Sequence, residues 1–402
     1  MSTDRTARVL VVDDSVVIRK ILTEILAADP LIDVAGTASN GAMALRKLSQ
    51  AKPDLVTLDI EMPEMDGLET LRNIRRDYPR LPVIMFSSLT HKGASATLDA
   101  LSLGASDYIT KPANVASVTA GMDAIREQMI PKIYALCRLG AARPLTRPAV
   151  SLVRDVRAVP SRPSAEEPTL RSTISGLAAQ AAPTPPASLA TSGSVMARRP
   201  ARQRRVDAVV IGSSTGGPNA LAVLWSGLLS TLAIPVLVVQ HMPPMFTTLL
   251  AERLTRIGTV NTREAVHDGA VTPGACWLAP GDHHMLVERS QTGDCVRLNQ
   301  AAPESSCRPA VDPLFRSAAR LYGPGVLAVV LTGMGSDGRL GAEAVRAAGG
   351  QVIVQDEASS VVWGMPGTIA NAGLADAVVP LERIAAEINQ RAAVGRSVAA
   401  AR

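Results

Sequence analysis

The chain has 402 residues, of which 47% are hydrophobic and only 2% aromatic, and a formal net charge of +5. That length predicts two or three domains, with cores built from Ala, Val, Leu and Ile. No apolar run approaches the 18 or so residues that cross a bilayer, so no membrane insertion is expected. The opening stretch, "MSTDRTARVL", runs into a strand-like segment without a signal peptide's apolar core, and a cytoplasmic location is the expectation. The positive charge is uneven. Residues 136–205 hold twelve arginines, no lysine and three acids, so the basic surplus belongs to one segment and not to a nucleic-acid-binding face. None of the four cysteines forms a CxxC pair, which predicts reduced thiols and no zinc site.

In chain order, "RVLVVDD", "DVAGTAS", "PDLVTLD", "LPVIMFSS" and "ASDYITKP" are five strand candidates, with helical patterns such as "VVIRKILTEIL" and "GAMALRKLSQ" between them. This alternation predicts an α/β domain over residues 7–125, with a five-stranded parallel sheet of the flavodoxin-like, doubly wound kind. Ligands of such sheets bind at the carboxyl ends of the strands. Here the first strand ends in Asp13 and Asp14, and the third in Asp59. Three carboxylates at one edge repel unless a hard cation sits among them, and Mg²⁺ prefers such oxygen ligands. The fourth strand ends in Ser87 and the fifth near Lys111. One strand-end acid is as readily a helix cap, but capping does not account for five groups of these types in this order.

The motifs "VVDDS", "LDIEMPEMDG", "FSS" and "GASDYITKP" resemble the receiver domain of two-component response regulators. The resemblance implies phosphorylation at Asp59, with Mg²⁺ held by Asp13, Asp14, Asp59 and the main-chain carbonyl of Glu61. It also implies that Ser87 contacts the acyl phosphate, that Lys111 pairs with it, and that Tyr108 is the switch aromatic.

Residues 126–204 break the alternation. Their prolines, alanines, serines and arginines, with few large apolar residues, predict a flexible linker. From residue 205 to 392 the alternation resumes. "VDAVVIG", "IPVLVVQ", "GACWLAP", "HMLVERS", "DCVRLNQ", "GVLAVVLTG", "GQVIVQ" and "ADAVVP" are strand candidates. Helices are expected near 217–229, 245–256, 311–322, 337–348 and 380–392. "HMLVERSQTGDCVRLN" reads as a hairpin with Thr-Gly at its turn. The second domain is therefore expected to be doubly wound and mostly parallel, with a small antiparallel hairpin. Residues 393–402 read as a disordered tail.

The turn "IGSSTGGP" at 211–218 could cradle a phosphate or present a nucleophile. It lacks the lysine of a GxxxxGK[ST] loop and the spacing of GxGxxG, which weakens the phosphate reading. A serine nucleophile needs a base, and the base needs an orienting group. His241 follows the strand "IPVLVVQ", and Asp337 lies in the glycine-rich turn after "VLAVVLTG". Ser214, His241 and Asp337 thus stand at three strand ends. Backbone amides at Thr215–Gly217, including Gly216, or at the Gly333–Gly335 turn, including Met334, are the candidates for an oxyanion site, and the sequence does not choose between them. His267, His283 and His284 are expected at the surface, with His284 the one that could line a cleft.

"IGSSTGGP", "QHMP", "LTGMGSDG", "LAPGDHHM", "SSCRPAVDPLF" and "QDEASSVVWGMP" are similar to the catalytic domain of chemotaxis protein-glutamate methylesterases. That resemblance makes Ser214 the nucleophile, His241 the base and Asp337 the orienting acid. It implies hydrolysis of γ-glutamyl methyl esters on the cytoplasmic helices of chemoreceptors and deamidation of receptor glutamines, with no metal in the esterase step. A chemotaxis histidine kinase is the implied phosphodonor. A monomer is expected, with no nucleic-acid partner. Two competing classes are a receiver joined to a nucleotide-binding or docking module without catalysis and, from the basic pI, a DNA-binding regulator.

Overall fold

The computed structural model describes residues 6–111, 118–139, 204–230 and 232–394. Most of the expected linker, from 140 to 203, lies outside the described residues, as does the expected tail from 395 onward.

The first half runs β1 (Ala7–Val12), α1 (Val16–Ala27), β2 (Ile32–Ala38), α2 (Gly41–Ala51), β3 (Leu55–Asp59), α3 (Gly67–Asp77), β4 (Val83–Ser87), α4 (His91–Ser102), β5 (Asp107–Thr110) and α5 (Val118–Cys137). Its parallel sheet has the order β2-β1-β3-β4-β5. Strands β3, β4 and β5 are buried along their whole length, as expected when helices cover both faces. Each helix from α1 to α4 opens on a side-chain cap: Ser15, Asn40, Asp66 and Thr90 accept from amides in the first turn. One boundary differs from the sequence expectation. Helix α5 continues past residue 125 to Cys137. Ile125, Met129 and Ile133, spaced four apart, lie on one face and are buried against the same core as Val9 and Val11. That apolar period ties 126–137 to the first domain and not to the linker.

The second half runs β6 (Ala208–Ser213), α6 (Gly217–Gly227), β7 (Val236–Gln240), α7 (Phe246–Ile257), β8 (Thr262–Glu264), β9 (Cys276–Leu278), β10 (His284–Ser290), β11 (Gly293–Asn299), α8 (Val311–Tyr322), β12 (Val326–Val330), α9 (Arg339–Ala347), β13 (Gln351–Gln355), α10 (Met365–Asn371), β14 (Ala377–Val379) and α11 (Leu381–Ala393). Seven strands form one parallel sheet in the order β14-β13-β12-β6-β7-β9-β8, and β10 pairs with β11 as an antiparallel hairpin. The eight expected strands and five expected helices are all present. Strand β8 and helix α10 are additional; at three and seven residues, they are too short for periodicity to mark them. In the hairpin, Ser290 pairs with Gly293, so Gln291-Thr292 makes the turn and not Thr-Gly.

Side chains of the central strands alternate between the two faces. Val209 and Ile211 pack with α6, α7 and α11, whereas Val210 packs with α8. Trp225 of α6 is fully buried and donates its indole N–H to Thr262 Oγ1 at 2.7 Å. The two halves share a core: α4 of the first packs on α6 and α7 of the second.

Gly212, at the end of β6, lets α8 approach the sheet. A Cβ there would lie 2.5 and 2.7 Å from the two γ-carbons of Val311. Gly212→Ala should therefore cost about 1–3 kcal/mol by overpacking, seen as a lower denaturant midpoint. An unchanged midpoint would show that α8 retreats without cost.

Candidate active site

Strands β12, β6 and β7 are neighbours at the centre of the seven-stranded sheet. The chain leaves β6 toward β7 on one side and later returns to β12 on the other, which opens a crevice at the carboxyl ends of these strands. Ser214, His241 and Asp337 follow them in the chain and meet at that edge. Ser214 is half-buried; its amide donates to Thr332 O at 3.1 Å and its carbonyl accepts from Gly217 N at 2.7 Å. Gly216 completes the turn at φ +76°, where a Cβ would meet Val361 at 2.7 Å. Gln240 locks the neighbouring strand end, donating Nε2 to the carbonyls of Ser214 and His241 at 3.0 and 3.1 Å while Oε1 accepts from Ser213 Oγ at 2.7 Å.

His241 Nε2 lies 2.8 Å from Asp337 Oδ2, in a pair that is almost wholly buried. Three amides also converge on this carboxylate: Val311 at 2.6 Å, Asp312 at 3.0 Å and Gly338 at 2.8 Å. Burial pushes the Asp337 carboxyl up, but the bond to His241 and the amides of Val311 and Asp312 outweigh it and hold the group below the usual carboxylate range. The adjacent Asp312 is pushed up to about 6, first by burial and then by the charge of Asp337. Of the two acids, Asp337 is therefore the more readily ionised. For His241, burial disfavours the cation, but the bond to Asp337 and then the contact with Cys307 raise its pKa above the ordinary imidazole value. With Asp337 as acceptor, Nε2 carries the ring proton and Nδ1 is the nitrogen left to act as a base.

Among the described residues, Ser214 Oγ has no hydrogen-bond partner, and Cys307 Sγ lies 3.4 Å from His241 Nδ1. Of the candidate oxyanion donors, Gly217 N is bonded to Ser214 O and Gly333 N to Val362 O. Among the described residues, the amides of Thr215, Gly216, Met334 and Gly335 donate to no protein group, so each side of Ser214 offers open donors. His284 does not line this cleft. It is buried, with Nδ1 accepting from Ala310 N at 3.2 Å and Nε2 3.1 Å from Ala302 O. His267 is exposed and His283 half-buried, each against a backbone carbonyl.

In the first half, Asp13, Asp14 and Asp59 each place a carboxylate oxygen within 4.8 Å of the others. Asp13 and Asp59 are buried, and Asp59 Oδ2 has no hydrogen-bond partner. A buried, unpartnered carboxylate oxygen facing two further acids fits a hard divalent cation. Lys111 Nζ lies 2.8 Å from Asp59 and 3.3 Å from Asp13. Burial is the main reason that the Asp59 carboxyl is pushed up to about 6; the Lys111 hydrogen bond opposes this and the charge of Asp13 adds to it. Glu61 is exposed in the following turn, its side chain 3.8 Å from Lys92. Ser87 is turned toward α4, donating to Gly93 O at 3.1 Å and accepting from Thr97 Oγ1 at 2.7 Å. Tyr108 stacks on Phe246 of α7, with ring centroids 5.0 Å apart. Next to it, Asp107 accepts from Thr215 Oγ1 at 2.8 Å and pairs with Lys132 at 2.9 Å. The residue beside Ser214 is thus hydrogen-bonded to the receiver-like half.

The family model for the CheB methylesterase matches residues 209–388, and that for the response regulator receiver domain matches residues 9–122. A protein of Trichodesmium erythraeum named protein-glutamate methylesterase/protein-glutamine glutaminase is 46% identical over 384 residues, 96% of this chain and 98% of that protein. One of the same name from Nocardioides is 50% identical over 386 residues, 96% of this chain and 95% of its own length. The chain belongs to the CheB methylesterase family. Its methylesterase domain is the half that carries Ser214, His241 and Asp337, and its receiver domain is the half that carries the acidic cluster.

Two features of this CheB family member are not read from the sequence. Cys307 was expected only as a reduced thiol, and Asp107 and Thr215 are 108 residues apart with no local pattern linking them. The raised His241 imidazole is open to measurement. In histidine-labelled protein, its NMR titration should lie above about 6.5, the ordinary value, and Asp337→Asn should lower it. A His241 midpoint at or below 6.5 in the unaltered protein would contradict the assigned pair.

Proposed function

We propose that this protein hydrolyses γ-glutamyl methyl esters on the cytoplasmic helices of chemoreceptors, and deamidates receptor glutamines, by a Ser-His-Asp mechanism. The observation that carries this reading is the buried His241–Asp337 pair beside Ser214, with open amides on both sides of that serine. Ser214 Oγ attacks the ester carbonyl while its proton passes to His241 Nδ1. Asp337 stabilises the imidazolium through Nε2. The oxyanion takes N–H donors from Thr215 or Gly216 on one side and Met334 or Gly335 on the other. The methoxy oxygen leaves with the proton from Nδ1 as methanol, or the amide nitrogen as ammonia. Water then cleaves the acyl-serine with His241 again as base, giving glutamate and free Ser214. His284 takes no part beyond bracing the loop that ends at Ala310.

The receiver domain would control access. Asp13, Asp14 and Asp59, with the Glu61 carbonyl, would hold Mg²⁺, whose charge would offset that of a phosphoryl group arriving at Asp59 from a chemotaxis histidine kinase. A phosphorylated Asp59 offers new partners to Lys111 and Ser87. Ser87 now bonds to α4, the helix that packs on α6 and α7. Turning it back would loosen that face, including Tyr108 on Phe246 and Asp107 on Thr215. A ring stack and a neutral-donor hydrogen bond are each worth about 1 kcal/mol, so losing both shifts an open–closed balance by roughly tens of fold. The protein is read as a cytoplasmic monomer that binds neither nucleic acid nor the bilayer.

Ser214→Ala should abolish methanol release from methylated receptor membranes while the thermal midpoint stays unchanged; retained turnover removes Ser214 from the mechanism. Asp107→Ala should raise the unphosphorylated rate several-fold, and Asp59→Asn should not respond to a small acyl-phosphate donor. An Asp107→Ala enzyme no faster than its parent would contradict control through this contact.

A further inference from the structure

The loop between β11 and α8 carries a thiol that the reaction above does not use. Cys307 Sγ is 3.4 Å from Nδ1 of His241, and Asp337 holds Nε2 of the same ring at 2.8 Å. Sulfur, imidazole and carboxylate therefore form a second chain of groups on the same base. It is the arrangement that activates a thiol: the ring takes the sulfur's proton and the carboxylate steadies the resulting cation.

The loop fixes the sulfur in that place. Ser305 and Ser306 make its tip with φ of 51° and 60°, and Glu304 and Cys307 exchange both backbone hydrogen bonds at 2.9 and 3.1 Å. Arg316 grips Glu304 at 2.6 and 2.9 Å, and Arg308 grips Asp282 at 2.6 and 2.9 Å. Buried His284 ties both ends of the loop, at Ala302 and Ala310. Access also singles out this cysteine: Cys137, Cys276 and Cys295 are buried, and Cys307 is half-buried.

We propose that Cys307 is a reactive thiol driven by His241, a modification site for small soft electrophiles whose covalent capture shuts the esterase site. With hydrogen peroxide as the electrophile, sulfur attacks one peroxide oxygen as its proton moves to Nδ1. The S–O bond forms, the O–O bond breaks, and the departing hydroxide takes the proton from Nδ1 as water. Sulfur is oxidised to a sulfenic acid and the peroxide is reduced. An alkylating agent instead forms an S–C bond and releases halide. Either product places new atoms against Nδ1, where Ser214 must deliver its proton. The shut-off rests on the reading of His241 as the base for Ser214.

The test treats the full-length protein with iodoacetamide at neutral pH, maps adducts by mass spectrometry over time, and follows methanol release in parallel. Cys307 should react at least about tenfold faster than the other three cysteines. His241→Gln should slow its labelling about tenfold, and Asp337→Asn, which keeps the ring, should slow it by less. Methanol release should fall in step with Cys307 modification. Cys307→Ala should keep its own starting rate through the same treatment. Equal labelling of Cys307 in the parent and in both variants, or full activity after complete Cys307 modification, would overturn the proposal. Labelling rates judge the thiol alone, so an untreated enzyme that releases no methanol counts against the esterase reading and leaves the His241 dependence to decide the thiol.

Discussion

The carboxylate of Asp337 is the interaction around which the edge of the second domain's sheet is arranged. It is buried, and an isolated buried carboxylate is costly unless it is paired and hydrogen-bonded. Here three amides and one imidazole meet it. Two of the amides come from the first residues of α8 and one from the turn that starts α9. The starts of α8 and α9 therefore both hold the Asp337 carboxylate. Gly212 permits it, because α8 could not come this close to β6 over a larger residue. The neighbouring acid, Asp312, accepts from Gly341 N at 2.6 Å and is the more readily protonated of the two.

The same logic of offset charge governs the receiver domain, with a different outcome. Asp13 and Asp59 are buried with fewer donors, and Lys111 alone bridges them. That site is under-neutralised, which suits a hard cation, whereas the Asp337 carboxylate has three amides and an imidazole for partners. Short-range contacts join the two domains near these sites. Asp107 and Tyr108 stand four and three residues before Lys111, and they touch Thr215 and Phe246 of the other domain. The contact to Thr215 therefore lies one residue from Ser214.

Much of this was legible in the sequence. Strand candidates held because buried parallel strands are runs of Val, Ile and Leu bounded by turn residues, and strand-end motifs carry the chemistry. Ser214, His241 and Asp337 could be nominated together because a parallel sheet gathers its strand ends at one edge. Short elements and long-range partners were not legible. Strand β8 has no period to read, and α5 outruns its motif through apolar spacing alone. Cys307 was lost because its partner lies 66 residues earlier in the chain. His284, expected at the surface or lining a cleft, is instead buried, with two backbone contacts that give it a bracing role.

The central claim is that Ser214 is a nucleophile made reactive by the His241–Asp337 pair. The most direct measurement is covalent capture by a fluorophosphonate, which reacts with activated serines, followed by peptide mapping. The account predicts one adduct, on Ser214, formed many-fold more slowly in His241→Gln and in Asp337→Asn. An adduct on another residue, or labelling of Ser214 at the same rate in all three proteins, would contradict it.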